Sequence, residues 1–333
     1  MRGQVACPIA DDSTIGASRR HAAQLADEAG LPETARGRLG IVVTELARNI
    51  SMHAGYGTLY MQRVSDGDTA GVEVLAVDSG PGMADIDRCL RDGYSTGGTS
   101  GTGLGAVKRL SSEFDVYTRQ GSGTIVLSRI SGDGRLGDTA LRFGAISSCA
   151  PGETQCGDRW SLVRSNGNLA LLVADGLGHG PVAAVAADCA AEAFEERPFA
   201  PLNEYFDEAH RTMRNTRGAA VAVAQFTASS GSLLYAGVGN ISGSVLDRDG
   251  HRRGLVSNNG TVGAHMRPVR PFSYEWRAGD LLVMYSDGLK SGVSLAAYPG
   301  LQARHPAIIG AVLHRDFQRG ADDATIVVLR RGG

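Results

Sequence analysis

Residues able to bind a nucleotide and move a proton lie close together in the first half of the 333-residue sequence. Glu45 and Asn49 are four residues apart, which places them on one face of a predicted helix. Glu45 can accept a proton, and Asn49 offers a neutral oxygen to Mg²⁺, which prefers oxygen ligands. Asp78 ends a predicted strand, and the Gly80-Pro-Gly82 turn after it would let a flat base approach the carboxylate. An exocyclic amine on that base could donate a hydrogen bond to Asp78, so the pattern predicts an adenine site.

A glycine-rich stretch, SGTGLGAVKRL, covers residues 100–110 and leads into a predicted helix. Backbone N–H groups at a helix start can point at an anion, so this stretch predicts a phosphate loop. A dinucleotide (Rossmann) site fits poorly, because a long loop precedes the glycines and the nearest downstream acids, Glu113 and Asp115, come too early. A P-loop fits poorly too, because Lys108 is followed by Arg109 instead of Ser or Thr. The predicted phosphate-binding residues are Gly101, Thr102, Gly103, Leu104 and Gly105, with Lys108 as either a helper or a surface charge.

Aspartates at the ends of predicted strands mark the second half of the sequence. Asp158 starts one strand, Asp175 and Asp287 each end one and precede a glycine, and Asp322 precedes the last. Clustered carboxylates repel one another unless cations bind them, and Mg²⁺ or Mn²⁺ are the cations that oxygen ligands favour. Two metals bridged by a carboxylate can activate a water for attack on phosphorus. The pattern therefore indicates a two-metal phosphoester hydrolase.

The composition is that of a globular protein, with 42% hydrophobic and 20% charged residues and a net charge of -2. We expect no nucleic-acid partner from this charge, no membrane segment from the lack of an 18-residue apolar run, and a cytoplasmic location from an N-terminus without a signal-type apolar core. The five cysteines are scattered and form no C-x-x-C, so we expect reduced thiols.

Two predicted domains must position these residues. Residues 1–131 predict an α+β sandwich, with helices over 15–29, 32–54, 84–92 and 103–113 on one face of a mainly antiparallel sheet. A polar, glycine-rich linker is predicted at 132–139. Residues 140–333 predict a β-rich core with helices near 181–196, 201–214 and 304–315 outside it.

In the first domain, the runs ELARN, DSGPG and GTGLG resemble the asparagine and glycine boxes of the GHKL (Bergerat-fold) ATPases, over residues 10–130. Within that superfamily the domain is most similar to the anti-sigma-factor type of serine/threonine kinase, the RsbT-like kinases. The resemblance implies a Bergerat α/β sandwich and transfer of the γ-phosphoryl group of ATP to a serine or threonine on a small STAS-domain protein. It implies that Glu45 activates the acceptor hydroxyl, Asn49 holds the Mg²⁺ of ATP, and backbone amides of Gly101–Gly105 hold the phosphates.

In the second domain, the runs CGDRW, VADGLGHG, YSDGL and DDATIVVL resemble the metal-dependent (PPM-type) phosphatases of the SpoIIE branch, especially RsbX-like enzymes, over residues 140–330. The resemblance implies a β-sandwich flanked by helices (αββα) and two Mn²⁺ or Mg²⁺ ions. It implies that Asp175 bridges the metals, the Gly176 carbonyl adds a ligand, and Asp287 and Asp322 complete the set, with Asp158 ligating directly or through water. Many relatives carry histidine where this chain has Leu177. The general acid is therefore open, with His179 a candidate.

Together the resemblances imply a kinase and an opposing phosphatase in one chain, in a stressosome-like partner-switching pathway that controls a sigma factor. The implied partners are STAS-domain proteins of the RsbS and RsbR types and a downstream RsbU-like phosphatase. The alternative is an ATP-gated protein-binding switch in which only the phosphatase domain, or neither domain, is catalytically active.

Overall fold

The computed structural model describes residues 4–66, 69–90, 103–132 and 141–332. Contacts divide the chain into two units. The first holds the described residues up to 132 together with Gly300–Val312, and the second holds 141–299 and 313–332. The predicted linker lies outside the described residues apart from Gly132, and the domain boundaries stay predictions.

An antiparallel five-stranded sheet and four helices form the N-terminal part of the first unit. Its strands are β1 (Val5–Ile9), β2 (Gly57–Asp66), β3 (Thr69–Asp78), β4 (Glu113–Thr118) and β5 (Thr124–Ser131), in the spatial order β1-β2-β3-β5-β4. Its helices are α1 (Asp12–Glu28), α2 (Glu33–Asn49), α3 (Ile86–Cys89) and α4 (Gly103–Leu110). The predicted α+β architecture is confirmed.

Apolar residues at helical spacing in α2 form part of the core of this unit. Leu39, Val42, Val43, Leu46 and Ile50 are all buried and belong to one apolar cluster with residues of α1, α4 and the sheet. Burying side chains of this size stabilises the fold by about 1.5–3 kcal/mol each. This packing fixes α2, and with it the residues at its C-terminal end.

Two five-stranded sheets form the second unit. The strands are β6 (Leu141–Ser148), β7 (Asp158–Ser165), β8 (Asn168–Gly176), β9 (Ala219–Thr227), β10 (Ser232–Val238), β11 (Ser242–Leu246), β12 (Arg252–Leu255), β13 (Phe272–Glu275), β14 (Leu281–Tyr285) and β15 (Ala324–Arg331). The sheet orders are β13-β10-β9-β8-β7 and β12-β11-β14-β15-β6. Phe143 of β6 and Trp160 of β7 lie 6.3 Å apart between ring centroids, and this contact joins the two sheets as a sandwich.

Helices α5 (Gly180–Glu196) and α6 (Leu202–Thr212) follow β8 in the chain, and α7 (Pro306–Phe317) precedes β15. Alanines of α5 pack on Ala170 and Leu172 of β8, and Phe206 of α6 joins the same buried cluster. Small side chains allow α5 to lie close to the sheet, beside the strand that ends at Gly176.

The structure differs from the predicted elements in three short strands and in the ends of two helices. Strands β1, β12 and β13 were not predicted, because they are short, lie at sheet edges and lack a clear apolar alternation. The helix predicted over 32–54 is α-helical only to Asn49 and then π-helical over Ile50–Ala54. The helix predicted over 103–113 ends at Leu110, since β4 begins at Glu113. Within the described ranges, no helix combines the length and apolarity needed to cross a membrane.

Candidate nucleotide and metal sites

The C-terminal end of α2 holds the two residues predicted to act on ATP. Glu45 is 21% exposed at its side chain, and its Oε1 lies 3.9 Å from Nη1 of Arg48. Asn49 is the last residue of α2, directly before the π-helical turn Ile50–Ala54. Turns of this kind are rare and frequently lie at functional sites. A Cβ added to Gly103 would lie 4.0 Å from Asn49 Oδ1, so the predicted metal ligand lies near the start of α4.

The turn after β3 is fixed by Asp78. Its Oδ1 accepts hydrogen bonds from the backbone N–H of Gly80 (2.9 Å) and of Thr124 (3.1 Å). A Cβ on Gly80 would lie 2.7 Å from the Cβ of Ala54, so only glycine lets this turn approach the π-helical turn so closely. Gly82 packs against backbone atoms of the turn between β4 and β5. The predicted adenine-binding carboxylate and both glycines are therefore part of one tightly packed corner.

Helix α4 presents part of the predicted phosphate loop. Leu104 is buried in the core cluster, Gly105 is buried, and Lys108 is exposed. Leu104 thus anchors the helix through its side chain, which leaves its backbone for any ligand contact. Gly101 and Thr102 lie outside the described residues. Lys108 remains either a phosphate-binding residue or a surface charge.

A groove with a volume of about 840 Å³ runs between α1 and α2 and reaches Glu45. Three arginines, Arg19, Arg20 and Arg36, line it together with Ile41, whose side chain is 50% exposed. Asp27 also lines the groove and pairs with Arg36, so the groove carries charges of both signs. It contains an exposed apolar contact and reaches the predicted proton acceptor.

In the second unit, Asp158 and Asp175 lie directly opposite each other in the β7–β8 pair. Asp158 is 2% exposed, and its Oδ2 accepts a 2.7 Å hydrogen bond from Ser286 Oγ. Its Oδ1 is buried without a hydrogen-bond partner among the residues that the structure describes. A buried carboxylate oxygen in this state is costly unless a cation or donor meets it.

The carboxylates are close enough to shift one another's protonation. Burial raises the pKa of Asp158 to about 7. The pKa of Asp175 rises to about 9, through burial first and then through the charges of Asp158, Asp287 and Asp322. Burial, with Asp287 and Asp323 nearby, also raises the pKa of Asp322. The cluster disfavours negative charge until cations bind, as expected of a metal site.

The remaining predicted ligands lie at strand ends of both sheets, since Gly176 ends β8 and Asp287 follows β14. A Cβ on Gly176 would overlap the backbone carbonyl of Ala183, so α5 can approach only because this residue is glycine. Asp287 accepts a 2.7 Å hydrogen bond from Asn240 Nδ2, which orients it. The donors are all oxygens, and one buried oxygen is orphaned, so these residues fit Mg²⁺ or Mn²⁺.

Asp323 has a different role from its neighbours. The structure places it in the interior, 3% exposed. Its oxygens accept from the backbone N–H groups of Ala150 (2.8 Å), Gly157 (2.9 Å) and Gly180 (3.3 Å). Asp323 therefore ties the loop before β7 to the start of α5.

Two side chains complete the rim of this site. Nδ1 of His179, the candidate general acid, lies 2.8 Å from Glu153 Oε1. Arg217 was missed by the sequence analysis: its Nη1 would lie 3.0 Å from a Cβ added to Gly178, in the loop that follows Asp175. The pairing of β8 with β9 brings Arg217 there, because it lies just before β9. Arg217 lies in the run TRGAAVAV, where no local pattern marks it as a neighbour of Gly178.

Two family models match the chain. One described as "Histidine kinase-like ATPase domain" matches residues 9–130, and one described as "Stage II sporulation protein E (SpoIIE)" matches residues 165–332, about half of the chain.

Two proteins of Bacillus subtilis (strain 168) are similar in sequence. "Serine/threonine-protein kinase RsbT" is 37% identical over 124 residues, which are 37% of this chain and 93% of RsbT. "Phosphoserine phosphatase RsbX" is 21% identical over 138 residues, which are 41% of this chain and 69% of RsbX.

Two solved structures share the fold of part of the chain. One, from "The bacterial stressosome: a modular system that has been adapted to control secondary messenger signaling", has a TM-score of 0.53 and 30% identity, covering 57% of this chain and 99% of its own. RsbX in complex with magnesium has a TM-score of 0.52 and 17% identity, covering 59% of this chain and 98% of its own. This chain therefore belongs to the SpoIIE family, and it is a fusion of an RsbT-related, histidine kinase-like ATPase domain with a PPM-type phosphatase fold.

Proposed function

We propose that the protein is a bifunctional enzyme, a serine/threonine kinase that uses ATP and a metal-dependent phosphoserine/phosphothreonine phosphatase. One observation carries the proposal: a single chain holds both a proton acceptor beside a nucleotide corner and an oxygen-only carboxylate cluster with an orphaned buried oxygen. Opposed activities in one chain would set the phosphorylation level of a shared substrate protein.

In the kinase half, Glu45 would accept the proton of a serine or threonine hydroxyl as that oxygen attacks the γ-phosphorus of ATP. Asp78 would accept a hydrogen bond from the adenine amine, since its position is fixed by the amides of Gly80 and Thr124. Asn49 would hold the Mg²⁺ that accompanies ATP. Backbone amides at the start of α4, with the predicted Gly101 and Thr102, would hold the phosphates.

The groove between α1 and α2 supports a protein substrate for this half. Arg19 and Arg20 line it together with Glu45, so a segment lying in it could present a hydroxyl to Glu45. Ile41 would contact an apolar side chain on that segment, because it is exposed in the free protein.

In the phosphatase half, Asp158, Asp175, the Gly176 carbonyl, Asp287 and Asp322 would hold two divalent cations. Those cations, when bound, supply an activated water for hydrolysis of the phosphoester. Arg217 would bind the phosphoryl oxygens, since a guanidinium matches them in charge and shape. His179, held by Glu153, would give a proton to the leaving serine or threonine oxygen.

The proposed substrates are STAS-domain regulators of the RsbS and RsbR types, in a partner-switching pathway of the cytoplasm that also includes an RsbU-like phosphatase. The similarity to RsbT and RsbX and to a structure of the stressosome supports this choice. The proposed kinase and phosphatase activities do not depend on this choice of substrate proteins.

The test is the intact mass of a STAS-domain protein, encoded beside this gene, after incubation with Mg-ATP. The Asp175→Asn, Asp287→Asn double variant should be used, because it cannot remove the phosphoryl group. We expect the gain of one phosphoryl group, lost when Glu45→Ala is added, and its removal by the wild-type protein. ATP binding with no transfer to any STAS-domain partner, together with ATP-dependent partner binding, would instead identify a nucleotide-gated switch.

A further inference from the structure

Two cysteines that are separated in sequence meet beside the metal site. Cys149 follows β6 and Cys156 precedes β7. Their Sγ atoms and a carboxylate oxygen of Asp323 all lie within 4.8 Å of one another. Both cysteines are half-buried, and the Cys156 thiol donates to the Ser148 carbonyl at 3.6 Å. Six residues separate the two cysteines, so no C-x-x-C spacing marks them as a pair.

The surroundings favour a thiol reaction over a third metal site. Both oxygens of Asp323 already accept backbone N–H groups, from Ala150 on one oxygen and from Gly157 and Gly180 on the other. This leaves two sulfurs as the available groups, fewer than the four ligands of a structural zinc site. A hydrogen bond with Cys156 lowers the pKa of Cys149, which favours its reactive thiolate form.

We propose that Cys149 and Cys156 form a reversible disulfide that reduces the phosphatase activity of the second unit. The oxidant is a peroxide. The Cys149 thiolate attacks one peroxide oxygen of H₂O₂, the O–O bond breaks, and the released hydroxide takes a proton to become water. The Cys156 sulfur then attacks the Cys149 sulfur of the resulting sulfenic acid. The S–O bond breaks, and the thiol proton leaves with the second water. Two thiols are oxidised and one peroxide is reduced to two waters.

The loop between the cysteines links this disulfide to catalysis. It carries Glu153, which holds His179, and it continues through Gly157 into Asp158. A disulfide requires the sulfurs to be about 2.05 Å apart, which is well inside van der Waals contact. Drawing the loop ends together changes the position of Glu153 and strains the backbone at Asp158. The effect on activity rests on the proposed phosphatase function, whereas the disulfide itself does not.

The first experiment treats the reduced full-length protein with H₂O₂ and maps its cysteines by mass spectrometry. We expect the loss of two hydrogens and a cross-linked peptide pair containing Cys149 and Cys156. Cys149→Ser and Cys156→Ser should not form it, and the matched control Cys189→Ser should. Free thiols at both positions after treatment would overturn the proposal, and so would a zinc ion bound by both thiols that blocks their oxidation.

The second experiment measures function before and after oxidation. We expect Mn²⁺-dependent hydrolysis of p-nitrophenyl phosphate to fall by about tenfold or more, because displacing a reacting group by about 1 Å can cost about 100-fold. Dithiothreitol should restore it, and Cys156→Ser should be insensitive. Mn²⁺ affinity, measured by calorimetry on both redox forms, gives a readout that does not need turnover. A mapped disulfide with unchanged affinity and unchanged hydrolysis would overturn the regulatory role. Absent hydrolysis in the reduced wild type, with a redox-dependent affinity, would refute the proposed phosphatase function alone.

Discussion

The carboxylates of the two candidate sites are held in opposite ways. Asp78, the predicted adenine-binding carboxylate in the turn after β3, has an oxygen that accepts hydrogen bonds from two backbone N–H groups. Asp158, in the aspartate cluster, has a buried oxygen that no donor meets among the described residues. A carboxylate that binds a neutral amine can be satisfied by the fold itself. A carboxylate that binds a cation must keep unmet charge, which destabilises the protein until the cation arrives.

The largest expected effect concerns Asp175. We expect Asp175→Asn to lower Mn²⁺-dependent hydrolysis of p-nitrophenyl phosphate by about 1,000-fold or more, because loss of the bridging carboxylate disrupts the two-metal site. The control is Asp207→Asn, an exposed acid on α6. If Asp175→Asn hydrolyses the substrate at the wild-type rate, the aspartate cluster is not the catalytic metal site.

The second largest effect is expected for Glu45. We expect Glu45→Gln to reduce phosphoryl transfer by about 100-fold or more with unchanged ATP affinity, because general bases contribute at least that factor. Transfer should be measured in the Asp175→Asn background, with the exposed Glu33→Gln of α2 as the control. If ATP affinity falls in parallel, Glu45 binds the nucleotide and does not act as a base.

A variant of Asp78 tests the comparison between the Asp78 and Asp158 carboxylates directly. We expect Asp78→Asn to weaken ATP binding by about tenfold or more, because a hydrogen bond to a charged group contributes about 1.5–3 kcal/mol. Thermal stability should hardly change, since the asparagine oxygen can still accept from Gly80 and Thr124. Titration with a fluorescent nucleotide and a melting curve measure the two properties. A marked rise in the melting temperature of Asp78→Asn would show that Asp78, like Asp158, carries unmet charge that destabilises the folded protein.

Arg217 should affect substrate binding in the acidic site. A phosphoryl group brings negative charge towards four aspartates, so a cation on the rim should lower KM for a phosphoprotein. We expect Arg217→Ala to raise that KM by about tenfold with a smaller change in kcat. Arg214→Ala, an exposed neighbour, is the matched control. If both variants raise KM equally, the positive charge of this region attracts the substrate and Arg217 makes no specific contact with it.

The smallest effect is a pH dependence of stability. The pKa of Asp158 is raised from 3.8 to about 7 and that of Asp175 to about 9, so the folded state binds protons more tightly than the unfolded chain does. Their contribution to stability is therefore full below the ordinary pKa and is lost as pH rises through about 7 and about 9. In EDTA, the melting temperature of the second unit should fall over that range. Both tryptophans, Trp160 and Trp276, lie in this unit, so their fluorescence reports it selectively. Mn²⁺ or Asp158→Asn should flatten the dependence, and a flat profile in EDTA would contradict the account of the cluster.

Local patterns predicted most of this molecule. The apolar spacing from Leu39 to Ile50 predicted a buried helix face, because that period depends only on neighbouring residues. Asp158, Asp175 and Asp287 could be placed at strand ends for the same reason. Strands such as β12 could not be predicted, since RRGL becomes a strand only by pairing with β11.

Side chains that meet through the tertiary fold escaped prediction. Arg217 reaches the loop after Asp175 only because β8 pairs with β9. Cys149 and Cys156 meet because Asp323, far along the chain, binds the backbone at both ends of their loop. No local period encodes contacts of this kind, so the sequence located the predicted ligands but not the side chains that lie beside them.

The π-helical turn after Asn49 fixes the length of the segment up to Gly55 more strictly than the types of its exposed residues. Gly55 N–H donates to the Ile50 carbonyl at 3.0 Å, which closes the turn, and Ala54 packs on Gly80 of the turn after β3. Met52 and His53 point outward and are exposed, so chemically different residues would be tolerated at both positions. Removing one of them would return the turn to an α-helical path and rotate Ala54 away from Gly80. Among homologous chains, the segment between Asn49 and Gly55 should therefore vary in composition while keeping a constant length.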